Sequence, residues 1–248
     1  MKKTLLTLFT ILALTQLHAQ NLEVSLLGNT GLFRYTGNYT TSTSSINGGI
    51  PGTKDGYTNN PYGSKYAFSY GLGIQVQHIS RSGFIFGLQG GYQILRSKVD
   101  ITGVYRGDLN YATGDYLAAP GPDPATGKTI LQSQDFFMSP YVGYRLKVNK
   151  VKIDLMPGIQ LGFNTNLHEY GKATDSQGNV FQTDLDRGKF PTDFRISFMA
   201  AVSYNKFAIT AGFVQGLTNF SNNLLNDSPI PYYTHSQLIS LGIAYRVK

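Results

Sequence analysis

From Tyr66 to His78 every second residue is bulky: Tyr66, Phe68, Tyr70, Leu72, Ile74, Val76 and His78, separated by Ala67, Ser69, Gly71, Gly73, Gln75 and Gln77. Successive side chains of an extended chain point to opposite sides, so a period of two predicts a strand with one apolar face and one small, polar face. The alternation recurs at Phe84–Ile94, Phe136–Val148, Val151–Phe163, Phe194–Tyr204, Phe207–Phe213 and Ile239–Val247. With Leu22, Val24 and Leu26 near the start, where the pattern blurs at Leu27, there are eight strand candidates. An even number suits a closed up-and-down barrel.

The connections alternate in length. Polar segments rich in Gly, Ser, Thr, Asn, Asp and Pro lie at 36–65, 97–134, 167–191 and 221–236, and short turns lie near Arg81, at Asn149-Lys150 and at Asn205-Lys206. Opposed residues of a hairpin must share a face. Two-residue loops therefore set Val148 against Val151, Tyr144 against Leu155, and Tyr204 against Phe207. At the first turn a three-residue loop, Arg81-Ser82-Gly83, is needed to bring Val76 opposite Leu88, with Gly83 in the left-handed position. Pro140 and Pro157 fall inside strands, where each removes a ladder hydrogen bond and predicts a bulge or local twist.

The polar face offers mainly Gly, Ala, Ser and Gln, a poor solvated exterior but a good filling for a narrow lumen. The bulky face then meets lipid. Aromatics gather at strand ends, with Tyr66, Phe68, Phe136, Phe163 and Phe194 on the loop side and Phe84, Tyr144, Tyr204, Phe207 and Tyr245 on the turn side, as interfacial girdles require. The fold expected is all-β: an eight-stranded antiparallel up-and-down transmembrane β-barrel with four long extracellular loops and three short periplasmic turns. The inward charges are Glu23, Arg145, Lys147, Lys152, Asp154, Asp193, Arg195 and Arg246; the turn register places Arg145 across from Asp154. Such a pair offsets the cost of burying either charge and predicts a filled lumen.

Lys2 and Lys3, an apolar stretch from Leu5 to Leu14 and Ala19 form secretory signal architecture, with cleavage expected after Ala19 and a barrel domain over 20–248. Charged residues are 14% of the chain, against about 25% in soluble domains. The formal charge of +7 includes Lys2 and Lys3, and the excess left after cleavage reads as basic loops beside anionic headgroups, not as nucleic-acid binding. The sequence has no cysteine, so disulfides and thiolate metal sites are excluded.

The chain resembles the small outer-membrane β-barrel proteins of Gram-negative bacteria, the OmpA/OmpX type and those labelled porin family, in the strand pattern along its whole mature length. Ser240, Gly242, Tyr245 and Val247 match the polar-x-Gly-x-x-aromatic-x-hydrophobic signal that the barrel assembly machinery reads, although the chain ends on Lys248 and not on an aromatic. The resemblance implies a lipid-embedded, non-enzymatic scaffold without cofactors, whose loops serve binding, adhesion or envelope integrity. Solute transport is one alternative. Lipid-A hydrolysis is another, suggested by His235-Ser236, but adjacent strand residues point to opposite faces. His78, His168 and His235 have no metal-ligand spacing, and Arg106-Gly107-Asp108 and Asn38-Tyr39-Thr40 read as loop composition. Loop tyrosines, including Tyr57, Tyr62, Tyr105, Tyr111, Tyr116, Tyr232 and Tyr233, are candidates for a contact surface or for ordinary interfacial tyrosine.

Overall fold

A computed structural model of the chain describes residues 22–48, 51–105, 108–109, 116–117, 121–221 and 231–248. The strands in chain order are β1 (Leu22–Thr36), β2 (Thr43–Asn47), β3 (Tyr57–Thr58), β4 (Lys65–Ile79), β5 (Phe84–Tyr105), β6 (Asp108–Leu109), β7 (Tyr116–Leu117), β8 (Asp123–Val148), β9 (Val151–Asp175), β10 (Val180–Asp186), β11 (Asp193–Tyr204), β12 (Phe207–Gly216) and β13 (His235–Arg246). No helix occurs among the described residues.

Eight strands pair in a ring. β1 pairs with β4, β4 with β5, β5 with β8, β8 with β9, β9 with β11, β11 with β12, β12 with β13, and β13 returns to β1, every ladder antiparallel. Closure removes the open edges that a flat sheet would expose. The side-chain period then sorts residues cleanly. Leu72 is 72%, Ile243 69% and Ile209 68% exposed, while Ser69, Gln75, Gln89 and Ser203 on the alternate positions are buried.

The tight turns have the register that the pattern requires. Val148 stands opposite Val151, Tyr204 opposite Phe207 and Val76 opposite Leu88. Asn149 and Asn205, the first residues of the two-residue loops, have φ of 56° and 54°, and Gly83 has φ of 94°. Asparagine and glycine are the residues that enter the left-handed region at least cost.

Of the bulge or local twist expected at the prolines, no bulge occurs, although the ladder between β8 and β9 is interrupted beside each of them. Met138 opposite Leu161, Tyr141 opposite Gly158 and Tyr144 opposite Leu155 keep a single register through both. In that register Pro140 faces Ile159, and the Ser139 hydroxyl donates to the Ile159 carbonyl at 2.9 Å, supplying a donor that proline lacks. Ser139→Ala is expected to lower the unfolding free energy by about 1 kcal/mol. Urea midpoints of wild type and variant in the same detergent measure it, and equal midpoints would refute this role.

The long polar segments are more ordered than the pattern suggested. Residues 97–105, 123–134 and 167–175 continue β5, β8 and β9, which reach 22, 26 and 25 residues against 12 for β11. Gln134 pairs with Asn166 and Asp135 with Asn164, so Thr165 is the extra residue of a bulge. One extra residue exchanges the two faces of a strand, and beyond Thr165 the even-numbered residues of β9 turn outward. The apolar alternation therefore ends at Phe163 although the strand does not.

Above the eight-stranded ring these three strands carry a second, smaller enclosure. Where β4 ends, β2 takes its place beside β5 in parallel, from Thr43 opposite Asp100 to Asn47 opposite Tyr105. On the far side β10 pairs with β9, and the segment between β2 and β3 bonds to β10, with Gly52 N–H donating to Val180 and Gly56 N–H to Gln182. Ile46, Ile101, Val104, Ala125, Ala173 and Phe181 fill the space within. This loop dome has its own dry core, which gives it a stability source separate from the ring below.

Candidate functional site

The ring interior is filled in layers. Near the turn side, Arg145 Nε and Nη2 donate to the two oxygens of Asp154, both at 2.6 Å, and Nη1 and Nη2 donate to the two oxygens of Glu23, both at 2.9 Å. Arg246 lies 3.2 Å and Lys152 3.7 Å from Glu23. A planar guanidinium between two carboxylates is the arrangement its fork of donors fits best.

Above this layer the lumen is less polar than the alternation implied. Ile85, Tyr141, Met156 and Ala201 form an apolar cluster against Ile79 and Met199. The Tyr141 hydroxyl accepts from Gln75 at 2.7 Å and donates to Gln77 at 3.0 Å. Next comes a cavity of about 70 Å³, lined by Gln89, Gln93, Ser139, Gln160, Thr210 and Ser240 among others. It has room for a few water molecules.

A second charged layer lies on the loop side. Arg195 Nε donates to Asp193 at 2.6 Å, Nη2 to Asp135 at 2.9 Å and Nη1 to Gln160 at 3.1 Å. Ser133 donates to Asp135 at 2.5 Å and Ser236 to Asp193 at 2.6 Å. Above it, Phe33, Tyr35, Leu95, Leu131 and Leu167 pack with Tyr62, Phe190, Phe220 and Leu238. The Tyr35 ring meets Phe33, Tyr62 and Phe220 edge-on at 5.1, 5.4 and 5.9 Å. Burial pushes the Tyr62 phenol up to about 12.

At the base of the dome, Glu169 is fully buried. Its Oε1 accepts the Thr58 N–H at 2.7 Å, its Oε2 accepts from Arg187 Nε at 2.8 Å, and Arg187 Nη2 donates to the Thr58 carbonyl at 2.6 Å. Outside, Lys54 and His168 both reach Asp184, at 2.7 and 3.0 Å. The Lys54 hydrogen bond and charge, with His168 behind them, hold the exposed Asp184 carboxyl below its ordinary range.

The structure brings Arg145, Asp154 and Glu23 together, and joins Asp193 to Arg195 in a separate layer. Lys147 is exposed instead of inside, opposite Lys152 at the turn-side mouth. Asp135 was missed, although it sits one residue before the outward Phe136 and so has inward parity. Glu169 and Arg187 were missed because both lie in what read as a loop. Ser240 and Gly242 face inward on β13 while Tyr245 and Val247 are exposed. A Cβ on Gly242 would stand 2.2 Å from Asn29 Oδ1 and 2.7 Å from the Gly28 carbonyl, so close strand packing alone demands glycine there. Tyr66 is half-buried under Arg34, 4.5 Å from its ring centre, and is not a free girdle residue. His235 Nδ1 contacts the Thr218 carbonyl at 2.9 Å while Ser236 turns inward to Asp193, so the two make no nucleophile-base contact. Ala19, Arg106, Gly107 and Tyr111, and the side chains of Asp108 and Tyr116, lie outside the described residues. Among the described residues no group of three or more His, Asp or Glu side chains could hold a metal ion.

No protein-family model matches the chain, and no curated protein does. Similar solved structures include Ail, the attachment invasion locus protein of Yersinia pestis, in complex with the heparin analogue sucrose octasulfate. It is 13% identical, with a TM-score of 0.31, and the match covers 91% of this chain and 99% of that one. Neisserial surface protein A is 11% identical with a TM-score of 0.35, covering 90% and 96%. A major outer membrane protein from Thermus thermophilus is 12% identical with a TM-score of 0.35, covering 90% and 99%. Likeness at these levels assigns the chain to no family and transfers no activity to it.

Proposed function

We propose that the chain is a non-enzymatic integral outer-membrane β-barrel whose closed ring anchors a folded surface dome for binding, adhesion or envelope integrity. The observation that carries this reading is the outward apolar face, present on every strand of the ring. Monomeric soluble proteins do not expose apolar surface on that scale. From Phe194 to Tyr204 at about 3.3 Å per residue and a tilt of about 40°, the face spans about 25 Å, the height of an apolar membrane band. Phe84 packs edge-on against Tyr144 at 5.5 Å, and Phe207 meets Tyr245 at 5.1 Å, on the turn side where a girdle belongs.

Export through a leader cleaved after Ala19 and recognition of Ser240, Gly242, Tyr245 and Val247 by the assembly machinery belong to the same reading. The dome faces outward from the cell and the tight turns face the periplasm. Solute transport is disfavoured because two charged layers and two apolar layers lie in series along the axis. The mature chain is expected to fold in detergent or lipid and not in plain buffer, and to give no steady single-channel current in a planar bilayer. A folded monomer without detergent would overturn the membrane reading, and steady large currents would overturn the sealed lumen.

A further inference from the structure

The outward faces of β4, β5, β8 and β9 change character above the loop-side aromatics. Beyond Tyr70, Tyr92 and Phe136 they carry Lys65, Arg96, Lys98, Lys128 and Lys172. Register presses like charges together, with Lys65 opposite Lys98 and Lys128 opposite Lys172. Directly opposed like charges destabilise a ladder unless something neutralises them. The protein supplies little for this. Asp100 bridges to Lys65 and also stands directly opposite Lys128, one carboxylate among four lysines, and Asp184 on neighbouring β10 is held by Lys54 and His168. Among the described residues Lys98, Lys128 and Lys172 have no ion-pair partner, and Lys128 and Lys172 are exposed. Arg96 lies lower, donating to Gln132 at 2.7 Å and resting 5.2 Å from the centre of the Tyr70 ring. Arg34 on β1 does likewise, donating to Gln237 at 2.8 Å over Tyr66.

Height decides the ligand class. Lys98 comes six residues after Tyr92 on β5, about 20 Å along a tilted strand and about 15 Å above the apolar edge. The polar layer of an ordinary phospholipid leaflet is only about 5–8 Å deep. By the same reckoning Arg96, four residues after Tyr92, stands about 10 Å above the apolar edge, so Arg96 and Lys98 both lie beyond that depth, at two levels. A headgroup that carries anionic groups at both levels, such as a phosphorylated saccharide, meets the whole patch.

We infer that this face binds the phosphates of glycolipid headgroups in the leaflet surrounding the barrel. The inference rests on the membrane reading above. The test compares wild type, K98Q/K128Q/K172Q, the charge-preserving K98R/K128R/K172R, and K147Q/K150Q/K206Q, which removes three charges at the turn-side end. Each is reconstituted in phosphatidylcholine vesicles doped with a bisphosphorylated glycolipid or with its dephosphorylated form, and binding is titrated. A lysine near an anionic surface contributes about fivefold, so the first variant is expected to bind the phosphorylated lipid about 100-fold more weakly. The arginine and turn-side variants should bind as wild type does, and the dephosphorylated lipid should not distinguish the four. A loss below about threefold, an equal loss in the turn-side variant, or equal wild-type binding to both lipids would overturn the inference. So would unchanged glycolipid binding alongside lost binding of a soluble sulfated polysaccharide, which would make the patch a receptor for free polyanions. Heat-dependent gel mobility reports ring folding separately, so failure of this inference is distinguishable from failure of the membrane reading.

Discussion

Arg145→Met is expected to cost the barrel about 3–5 kcal/mol, because it strands two carboxylates that share one guanidinium inside the lumen. The Arg145 side chain is 3% exposed and that of Asp154 5%, so water replaces little of what is lost. Glu23 is less enclosed and retains Arg246 and Lys152, which places more of the penalty on Asp154. Adding Asp154→Asn and Glu23→Gln to Arg145→Met should therefore recover most of the stability, since removing every charge of a buried network is far less harmful than removing one. Urea-induced loss of the folded gel band in a fixed detergent gives the free energies. A single-variant loss under about 1 kcal/mol would show that the layer contributes little, and failure of the triple variant to recover would show that the charges themselves are required.

Glu169→Leu should open the dome while leaving the ring intact. The substitution leaves the Thr58 N–H and the Arg187 guanidinium facing an apolar side chain at a fully buried position. About 3–5 kcal/mol is at stake, comparable to what a small independent core supplies. Glu169→Gln keeps an acceptor for Thr58 and should be milder. Limited proteolysis is the measurement. Cleavage is expected within 51–64 and 176–192 in the leucine variant, with the heat-dependent band shift unchanged. Resistance equal to wild type would remove Glu169 from any role in holding the dome, and loss of the band shift would show that dome and ring fold as one unit.

The lower ring was legible because an apolar exterior imposes a rule on every residue that faces outward. Phe84, Phe86 and Leu88, or Ile239, Leu241 and Ile243, must be apolar at every second position, and that repetition is visible without any partner. Turn chemistry added the register. Once Asn149 and Asn205 open two-residue loops, parity alone puts Arg145 beside Asp154. The lumen was half legible: inward parity identified Arg195 and Asp193, while the neighbouring Asp135 was lost by starting the strand at Phe136.

The dome could not be read this way. Beyond the outward apolar band the sense of the alternation reverses on β5, with Val99 and Ile101 inside and Lys98 and Asp100 outside. On β8 and β9 residues as different as Ile130 and Thr174 stand on the outer face, so the signal that marks the ring no longer marks these strands. The parallel pairing of β2 with β5 and the bonds from 52–56 to β10 join segments that no short-range signal connects. Glu23 and Arg145 are 122 residues apart, and Thr58 and Glu169 are 111 apart. The sequence by itself determined which residues form the outward apolar face, how many strands make the ring and how the tight turns set their neighbours, because these follow from the local period of the backbone. Only the tertiary structure decided which buried charges share a partner, where Thr165 reverses the faces of β9, and that the loops fold into a body with its own core. Those outcomes depend on side chains distant in the chain competing for the same few positions in space.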